Sequence, residues 1–283
     1  MKDYLVKATA FNNQVRIYAA RVTNTVQDAQ KRHGLWPTAS AALGRTLAVG
    51  AMMGAMLKGN ENLRLKVTGD GPIGEIVVDA NALGQIRGYV SNPEVQLDVS
   101  AAVGTKGEIQ VIKDLGMKEY FTSAVEIISG ELGEDFTYYF AKSEQTPSSV
   151  GCGVLVDTDN KILAAGGFIV QIMPGATEET IIKLEKTIAN IKSVTEMIHN
   201  GYGPEDMVKE ICCSDNFTIL SHLDISFVCY CSKDRYAGGL VSLGKAELNQ
   251  IITEDKGAEI VCHFCNEKYH FTEAELNDLL SNM

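Results

Sequence analysis

The chain has 283 residues, of which 45% are hydrophobic and 22% charged, a composition typical of a folded globular protein and unlike that of a disordered one. Its length allows one large domain and a smaller one. The formal net charge of −11 argues against a protein that binds nucleic acid through its overall electrostatic field.

The first residues, MKDYLVKATAF, have charges at Lys2, Asp3 and Lys7 and lack the apolar core of a signal peptide. We therefore expect a cytoplasmic protein whose chain begins with a β-strand. The chain contains seven cysteines, and an odd number fits reduced thiols better than it fits a secreted disulfide framework.

Residues 37–57, PTASAALGRTLAVGAMMGAML, contain one charge, at Arg45. A stretch of this length could cross a bilayer, but no aromatic belt brackets it, and alanine and glycine dilute its apolarity. We interpret it as a helix that is buried nearly all round, and we predict no membrane partner. Its small residues Gly44, Gly50 and Gly54 should let β-sheets approach closely.

Between residues 63 and 173 the sequence consists of short alternating or apolar runs divided by Gly, Asn and Asp, which is typical of strands. The predicted strands are LRLKVTG, GEIVVDA, GQIRGYV, FTYYFAKS and CGVLVDTDNKILAAGGFIVQIM, with hairpin turns at ANALGQ and DTDNK. The run GDGPIG, residues 69–74, matches a dinucleotide-binding pattern, but a strand and not a helix follows it, so we predict a hairpin there. The predicted fold class is α+β, with mainly antiparallel sheets around the buried helix.

Residues 174–201 predict one amphipathic helix that Thr177 caps and Gly201 ends. A short helix opened by Pro204 follows. The apolar stripe of the longer helix must cover something, so this region is either a docked connector or a partner surface. We place an N-terminal domain at residues 1–175 and a helical linker at 176–223.

Residues 224–283 predict a separate small β-α-β-β module and a final helix that begins with a capping box, Thr272 and Glu275. The run GLVSLGKA, residues 239–246, matches a phosphate-binding loop except that Ala246 replaces the hydroxyl residue that contacts the metal. We interpret this run as a loop that opens a helix near residue 245.

Four cysteines in this module form two closely spaced pairs, C-x-C and C-x-x-C: Cys229, Cys231, Cys262 and Cys265. Four thiolates complete the tetrahedral shell that Zn²⁺ prefers, and a closed all-thiolate set indicates a structural site and not a hydrolytic one. We predict one Zn²⁺ per chain and no other cofactor, with His263 and His270 outside the shell. We find no catalytic residues and do not expect an enzyme.

The charge around these cysteines excludes the function that zinc ribbons often have. Residues 224–283 contain ten acidic and five basic residues, a net charge of −5, and zinc with four thiolates adds −2. A nucleic-acid backbone would be repelled by this module, so no nucleic-acid partner is predicted.

The same cysteines could respond to oxidants, because zinc keeps sulfurs as thiolates, the form that oxidants attack. A module of about sixty residues has little core of its own. Metal binding in small zinc modules is worth roughly 10–16 kcal/mol and is inseparable from their folding. Oxidation that removes the metal should therefore unfold the module, and a linker packed against it would lose a neighbour. The site can work as a switch.

Several long sequence blocks, in order, resemble the bacterial 33-kDa heat-shock protein family of redox-regulated holdase chaperones over essentially the whole chain. These blocks are HGLWPTASAALGR, GDGPIGEIVVDANALGQIRGYVSNP, SGELGEDFTYYFAKSEQTPSSVG, AAGGFIVQIMPG and the two cysteine pairs. The resemblance implies a chaperone core domain at 1–175, a metastable linker at 176–223 and a zinc redox-switch domain at 224–283. It further implies that oxidative stress releases zinc, forms the disulfides Cys229–Cys231 and Cys262–Cys265, unfolds switch and linker, and promotes a homodimer that holds unfolding client proteins without ATP.

Two other functions remain open at this point. A thiol–disulfide oxidoreductase could use CHFC, although the thioredoxin-like βαβ context is missing. A purely structural zinc ribbon would make the activity independent of the redox state of the cysteines.

Three further cysteines have no assigned role. Cys212 and Cys213 could form wrong disulfides with Cys229 or Cys231, or could be spectators, and we favour spectators. Cys152, between two glycines on a predicted strand, should be buried and inert.

Overall fold

The structure is a computed structural model that describes residues 1–283. The strands are β1 (Tyr4–Ala10), β2 (Val15–Arg21), β3 (Asn62–Gly69), β4 (Glu75–Asn81), β5 (Gln85–Val90), β6 (Gly107–Asp114), β7 (Phe121–Glu126), β8 (Ser148–Val156), β9 (Ile162–Ile172), β10 (Phe217–Asp224), β11 (Ser226–Phe227), β12 (Gly257–Val261) and β13 (Lys268–Thr272). The helices are α1 (Thr23–His33), α2 (Pro37–Gly54), α3 (Val99–Val103), α4 (Leu132–Lys142), α5 (Glu178–Asn190), α6 (Val194–His199), α7 (Pro204–Cys212), α8 (Lys233–Leu243), α9 (Lys245–Asp255) and α10 (Glu273–Ser281).

The chain divides into two compact units, which we call the core unit (Met1–Val228) and the cysteine unit (Cys229–Met283). The core unit therefore includes the residues that the sequence assigned to the linker. The functional division at residues 175 and 223 stays a prediction, because compactness does not show which segment unfolds first.

Two sheets of the core unit enclose helix α2. One sheet has the order β10-β1-β2-β9-β8 and the other β11-β5-β4-β3-β6-β7, and all neighbours are antiparallel except β11 and β5. The prediction of a buried helix is confirmed, because nearly every residue of α2 is buried. A Cβ at Gly44 would lie 2.7 Å from Val154, and one at Gly50 would lie 2.8 Å from Val78, so glycine at both positions allows the sheets to approach.

Tight turns join several neighbouring strands, as the sequence predicted. GDGPIG lies between the antiparallel strands β3 and β4, ANALGQ between β4 and β5, and DTDNK between β8 and β9. The predicted strand at FTYYFAKS is wrong, since these residues form most of α4. Phe136, Tyr139 and Phe140 are buried on one helical stripe, so packing against the sheets overrides the strand preference of aromatic residues.

The predicted long helix over 174–201 is in fact two helices. Thr177 caps α5 as expected, accepting a hydrogen bond from the backbone N–H of Thr180. Helix α5 ends at an extended Ile191, and Ser193 caps α6 by accepting a bond from the N–H of Glu196. The break turns the apolar residues of α6 toward the outer face of the five-stranded sheet, which α5, α6 and α7 cover. The region is thus a docked connector.

The cysteine unit contains α8, α9, the hairpin β12–β13 and α10. The strand predicted to lead into Cys229 is the two-residue β11, which pairs with β5 in the core unit, and α8 was not predicted. The helix near residue 245 and the capping box at α10 are confirmed. Only five hydrophobic side chains form the buried apolar cluster of this unit: Leu240, Leu248, Ile252, Phe271 and Leu276.

Candidate metal centre

The four predicted cysteines come from two short segments of the cysteine unit. Cys229 and Cys231 precede α8, whose first turn is capped by Ser232 through a bond from the N–H of Arg235. Cys262 and Cys265 lie in the turn between β12 and β13. In that turn the N–H of Cys262 donates to the carbonyl of Glu267 at 2.9 Å, and Asn266 has a left-handed φ of 59°. The hairpin thus holds the second pair in a tight loop.

The structure brings all four sulfurs together. Every Sγ lies within 4.8 Å of the other three. The Sγ atoms of Cys229 and Cys262 are 3.6 Å apart, and those of Cys231 and Cys265 are 3.3 Å apart. Cys262 and Cys265 are buried and the other two are half-buried.

This cluster fits a tetrahedral zinc site. Zinc–sulfur bonds of about 2.3 Å in a tetrahedron place neighbouring sulfurs about 3.8 Å apart, a spacing within the range seen here. Four soft thiolates and no other ligand form the donor set of closed structural zinc sites. Neither histidine of the segment joins the cluster: His263 is exposed, and Nδ1 of His270 lies 3.3 Å from a carboxylate oxygen of Glu259.

Two tyrosines, which the sequence did not single out, complete the surroundings of the sulfurs. The hydroxyl of Tyr269 on β13 donates to Sγ of Cys231 at 3.1 Å. Tyr236 on α8 hydrogen-bonds to Cys262. The two rings are 5.2 Å apart and pack against the small apolar cluster of the unit. The sequence could not identify the two tyrosines as partners of the cysteines, because Tyr236 lies on α8 and Tyr269 on β13.

The thiols of the metal-free cluster differ in acidity. Burial acts to raise the pKa of Cys262, but hydrogen bonds from Tyr236 and from the backbone N–H groups of Phe264 and Cys265 outweigh it and lower that pKa to about 6. Burial raises the pKa of Cys265 and of Cys231. The protein alone therefore favours the thiolate of Cys262, and a bound cation is needed to keep Cys231 and Cys265 ionised as well.

The other three cysteines belong to the core unit and lie outside the cluster. Burial raises the pKa of Cys152 on β8, and that of Cys212 in α7, to about 12. Cys213 is exposed at the end of α7, where its φ is 48° and its Sγ lies 3.6 Å from the hydroxyl of Thr187. Elevated pKa values make the first two thiols poor nucleophiles at neutral pH.

No helix of the chain combines the length and apolarity that crossing a membrane requires.

Comparisons with known proteins agree with one another. A family model described as "Hsp33 protein" matches residues 3–272. A protein of Geobacillus sp. (strain WCH70) called "33 kDa chaperonin" is 55% identical over 287 residues, which cover 99% of this chain and 97% of that protein. A protein of the same name from Staphylococcus aureus (strain Newman) is 55% identical over 289 residues and 99% of both chains.

The fold leads to the same family. The crystal structure of the 33 kDa chaperonin (heat shock protein 33 homolog) of Thermotoga maritima superposes with a TM-score of 0.93 at 35% identity. The match covers 100% of this chain and 99% of that one. The family match over nearly the whole sequence and the shared fold lead to one conclusion: this chain belongs to the Hsp33 family.

Proposed function

We propose that this protein is an ATP-independent holdase chaperone whose activity is controlled by oxidation of the four-cysteine cluster. The relatives called 33 kDa chaperonins support the chaperone part. The observation that supports control by oxidation is the cluster of four sulfurs within 4.8 Å of one another. The unit that contains this cluster has only five buried hydrophobic side chains in its apolar core.

In the reduced state Cys229, Cys231, Cys262 and Cys265 would hold one Zn²⁺, which joins the two cysteine pairs and keeps all four sulfurs as thiolates. The hydroxyl of Tyr269 and the bond between Tyr236 and Cys262 orient two of the sulfurs. Outer-shell hydrogen bonds of this kind tune the strength of a metal site.

Oxidation removes these ligands in pairs. Two thiolates lose two electrons to form one S–S bond, and hydrogen peroxide accepts the two electrons and two protons to become two waters. We propose the local pairs Cys229–Cys231 and Cys262–Cys265, and the metal is released once its ligands are consumed. Each local disulfide closes a loop of only a few residues and restores about 2 kcal/mol at most, which is far below the roughly 10–16 kcal/mol of zinc binding.

Loss of the cross-link between the two pairs should unfold the cysteine unit. We propose that the linker, residues 176–223, then loosens and exposes the apolar stripe that now covers the five-stranded sheet. Unfolding client proteins would bind such apolar surfaces, and two activated chains would form a homodimer. The net charge of −11 agrees with the proposed absence of a nucleic-acid partner.

The test treats reduced, zinc-loaded protein with hydrogen peroxide at mild heat and follows zinc release, helicity and the aggregation of an unfolding client together. We expect zinc release and loss of structure to precede suppression of aggregation. Cys213→Ser, which removes an exposed thiol outside the cluster, is the matched control and should behave as the unchanged protein does.

Three outcomes would contradict the proposal. Clients that still aggregate after zinc has left would exclude a redox-activated chaperone. Activity that does not depend on the redox state would favour a structural zinc ribbon. Catalytic reshuffling of a scrambled disulfide substrate would favour a thiol–disulfide oxidoreductase.

A further inference from the structure

A cavity of about 290 Å³ lies at one end of the five-stranded sheet in the core unit, and none of its lining residues belongs to the cysteine cluster. Arg16 of β2 lines it together with the segments Gln145–Pro147 and Gln171–Pro174. These segments lie within SEQTP and QIMPG, which carry part of the family resemblance but have no part in the metal centre.

Backbone pairing fixes the shape of this cavity. Arg16 lies opposite Gln171 in the β2–β9 pair, and Gln171 lies opposite Ser148 in the β9–β8 pair. At the rim, the N–H of Ile172 donates to the carbonyl of Pro147 at 2.9 Å, and the N–H of Met173 donates to the carbonyl of Gln14 at 2.8 Å. Backbone hydrogen bonds therefore hold the strand ends that line the cavity in place.

The charge in this cavity is not compensated by the protein. Arg16 is half-buried, its side-chain partner is the hydroxyl of Tyr18, and no carboxylate lies within ion-pair distance of its guanidinium. Glu144, next to the lining segment, is already paired with Lys113 at 2.7 Å.

A second cation lies on the same face of the sheet. Lys7 of β1 is diagonal to Arg16 across the β1–β2 pair, where Thr9 lies directly opposite Arg16. Burial, and after it the charge of Arg16, lower the pKa of Lys7. Lys7 has no acidic partner within ion-pair distance either. It is not one of the residues that line the cavity, so its charge lies beside the cavity on the same face of the sheet.

The remaining lining is suited to an organic ligand with an anionic end. Gln171 is 6% exposed, and its amide has one long hydrogen bond, 3.4 Å to the hydroxyl of Ser148. Thr146 and Gln145 also line the cavity, while Met173, Pro147 and Pro174 supply apolar wall. A few polar groups among apolar ones are typical of small-ligand sites.

We propose that this cavity binds the phosphate group of a small phosphomonoester. Guanidinium groups bind phosphate oxygens through two parallel hydrogen bonds, and the second charge of Lys7 matches a phosphate dianion better than a carboxylate. The apolar wall would take the organic part of the ligand. This site is independent of the redox function proposed above, because it needs neither zinc nor oxidation.

The test is isothermal titration of the reduced, zinc-loaded full chain with phenyl phosphate, inorganic phosphate and benzoate. We expect phenyl phosphate to bind most tightly, inorganic phosphate more weakly and benzoate most weakly. Equal binding of phenyl phosphate and inorganic phosphate would overturn the assignment of a phosphomonoester. Benzoate binding as tight as that of phenyl phosphate, or no binding of any of the three, would overturn the phosphate site.

Substitutions locate the site. Arg16→Gln should weaken phenyl phosphate binding at least about tenfold, the usual cost of losing hydrogen bonds to a charged group. Arg16→Lys keeps the charge but loses the two parallel bonds and should bind with intermediate affinity, and Lys7→Gln should cause a smaller loss than Arg16→Gln. Lys161→Gln, at an exposed turn, is the control and should bind as the unchanged protein does. Unchanged affinity in Arg16→Gln would overturn the proposal.

If Arg16→Gln does not fold, the site can be located by the amide resonances that phenyl phosphate shifts in the unchanged protein. Phenyl phosphate should shift the amide resonances of Thr146, Gln171 and Ile172, which line the cavity. Shifts confined to other parts of the chain would overturn the site.

Discussion

The core unit and the cysteine unit are stabilised in different ways. The core unit encloses α2 between two sheets and covers the outer face of one sheet with α5–α7, so its buried apolar clusters extend through the whole unit. The cysteine unit has five buried hydrophobic residues and four sulfurs. Apolar burial can stabilise the first, whereas small units with so little core depend on a metal or on cross-links. One chain thus combines a unit stabilised by apolar packing with a unit that we propose is stabilised by a metal.

Removal of one metal ligand is the strongest way to test this comparison. Cys262→Ser should abolish tight zinc binding and unfold the cysteine unit, because folding of such a unit depends on roughly 10 kcal/mol or more of metal binding. The core unit should keep its structure. Zinc content and the dispersion of amide resonances for residues 229–283 against residues 1–228 measure both effects. Cys213→Ser is the control, and a cysteine unit that stays folded without metal would break the comparison.

Shortening a buried side chain in the core unit should destabilise that unit and leave zinc binding by the cysteine unit unchanged. Leu47 of α2 is fully buried between the sheets, and Leu47→Ala should lower the free energy of unfolding of the core unit by about 2–5 kcal/mol. Because the core unit is held by packing, it should remain folded at 25 °C, and zinc affinity should not change. Denaturant unfolding and a zinc competition titration measure the two quantities. A large loss of zinc affinity would show that the two units do not fold independently.

Loss of a helix cap in the cysteine unit should weaken the binding of zinc. The side chain of Thr272 accepts a hydrogen bond from the N–H of Glu275 at the start of α10. Thr272→Ala should cost about 1 kcal/mol, and since folding and metal binding are coupled here, zinc affinity should fall about fivefold. Thr253→Ala, which removes an exposed hydroxyl within α9, is the control. If zinc affinity does not change in Thr272→Ala, folding of the cysteine unit and zinc binding are not coupled.

The smallest expected effect is a pH dependence in the core unit. Burial acts to raise the pKa of Glu205 on α7, but hydrogen bonds from Tyr4 and His222 outweigh it and hold that pKa below its ordinary 4.5. A carboxyl with a lowered folded pKa contributes stability above its unfolded pKa and loses it as the pH falls through the folded value. The contribution should therefore be complete near pH 7 and disappear below about pH 4.5.

The variant Glu205→Gln separates this contribution from other acid effects. It should be less stable than the unchanged protein near pH 7 by less than about 1 kcal/mol, since the group is partly exposed, and the two should converge in acid. Thermal unfolding between pH 3 and pH 7 measures the difference, with Glu185→Gln on α5 as the control. A difference that does not depend on pH would contradict the role of this carboxylate.

Local rules explain the parts of the fold that could be predicted. Helix α2 was recognised because an apolar run of that length, diluted by small residues, is soluble only when it is buried. Thr177 and Thr272 mark helix starts because their side chains bond to backbone N–H groups three residues along the same chain. The turns at 69–74 and 157–161 follow from their glycine, asparagine and aspartate residues.

Features that depend on distant contacts could not be predicted in this way. The residues FTYYFAKS form a helix because the neighbouring sheets bury Phe136, Tyr139 and Phe140 on one stripe. The helix predicted over 174–201 ends at the extended Ile191, and residues of both α5 and α6 pack into the cluster on the outer face of the five-stranded sheet. Neither outcome can be obtained from intrinsic propensity.

The four side chains that can bind a metal could be identified from the sequence, because the spacing of C-x-C and C-x-x-C is a local property of the chain. The sequence also determined the acidity of the surrounding segment, since charge depends on composition alone. The hydrogen bonds of Tyr236 and Tyr269 to the sulfurs could be found only in the folded chain, and so could the cavity that Arg16 lines without an acidic partner. Those arrangements join residues from separate elements, and only the packing of the folded chain brings them together.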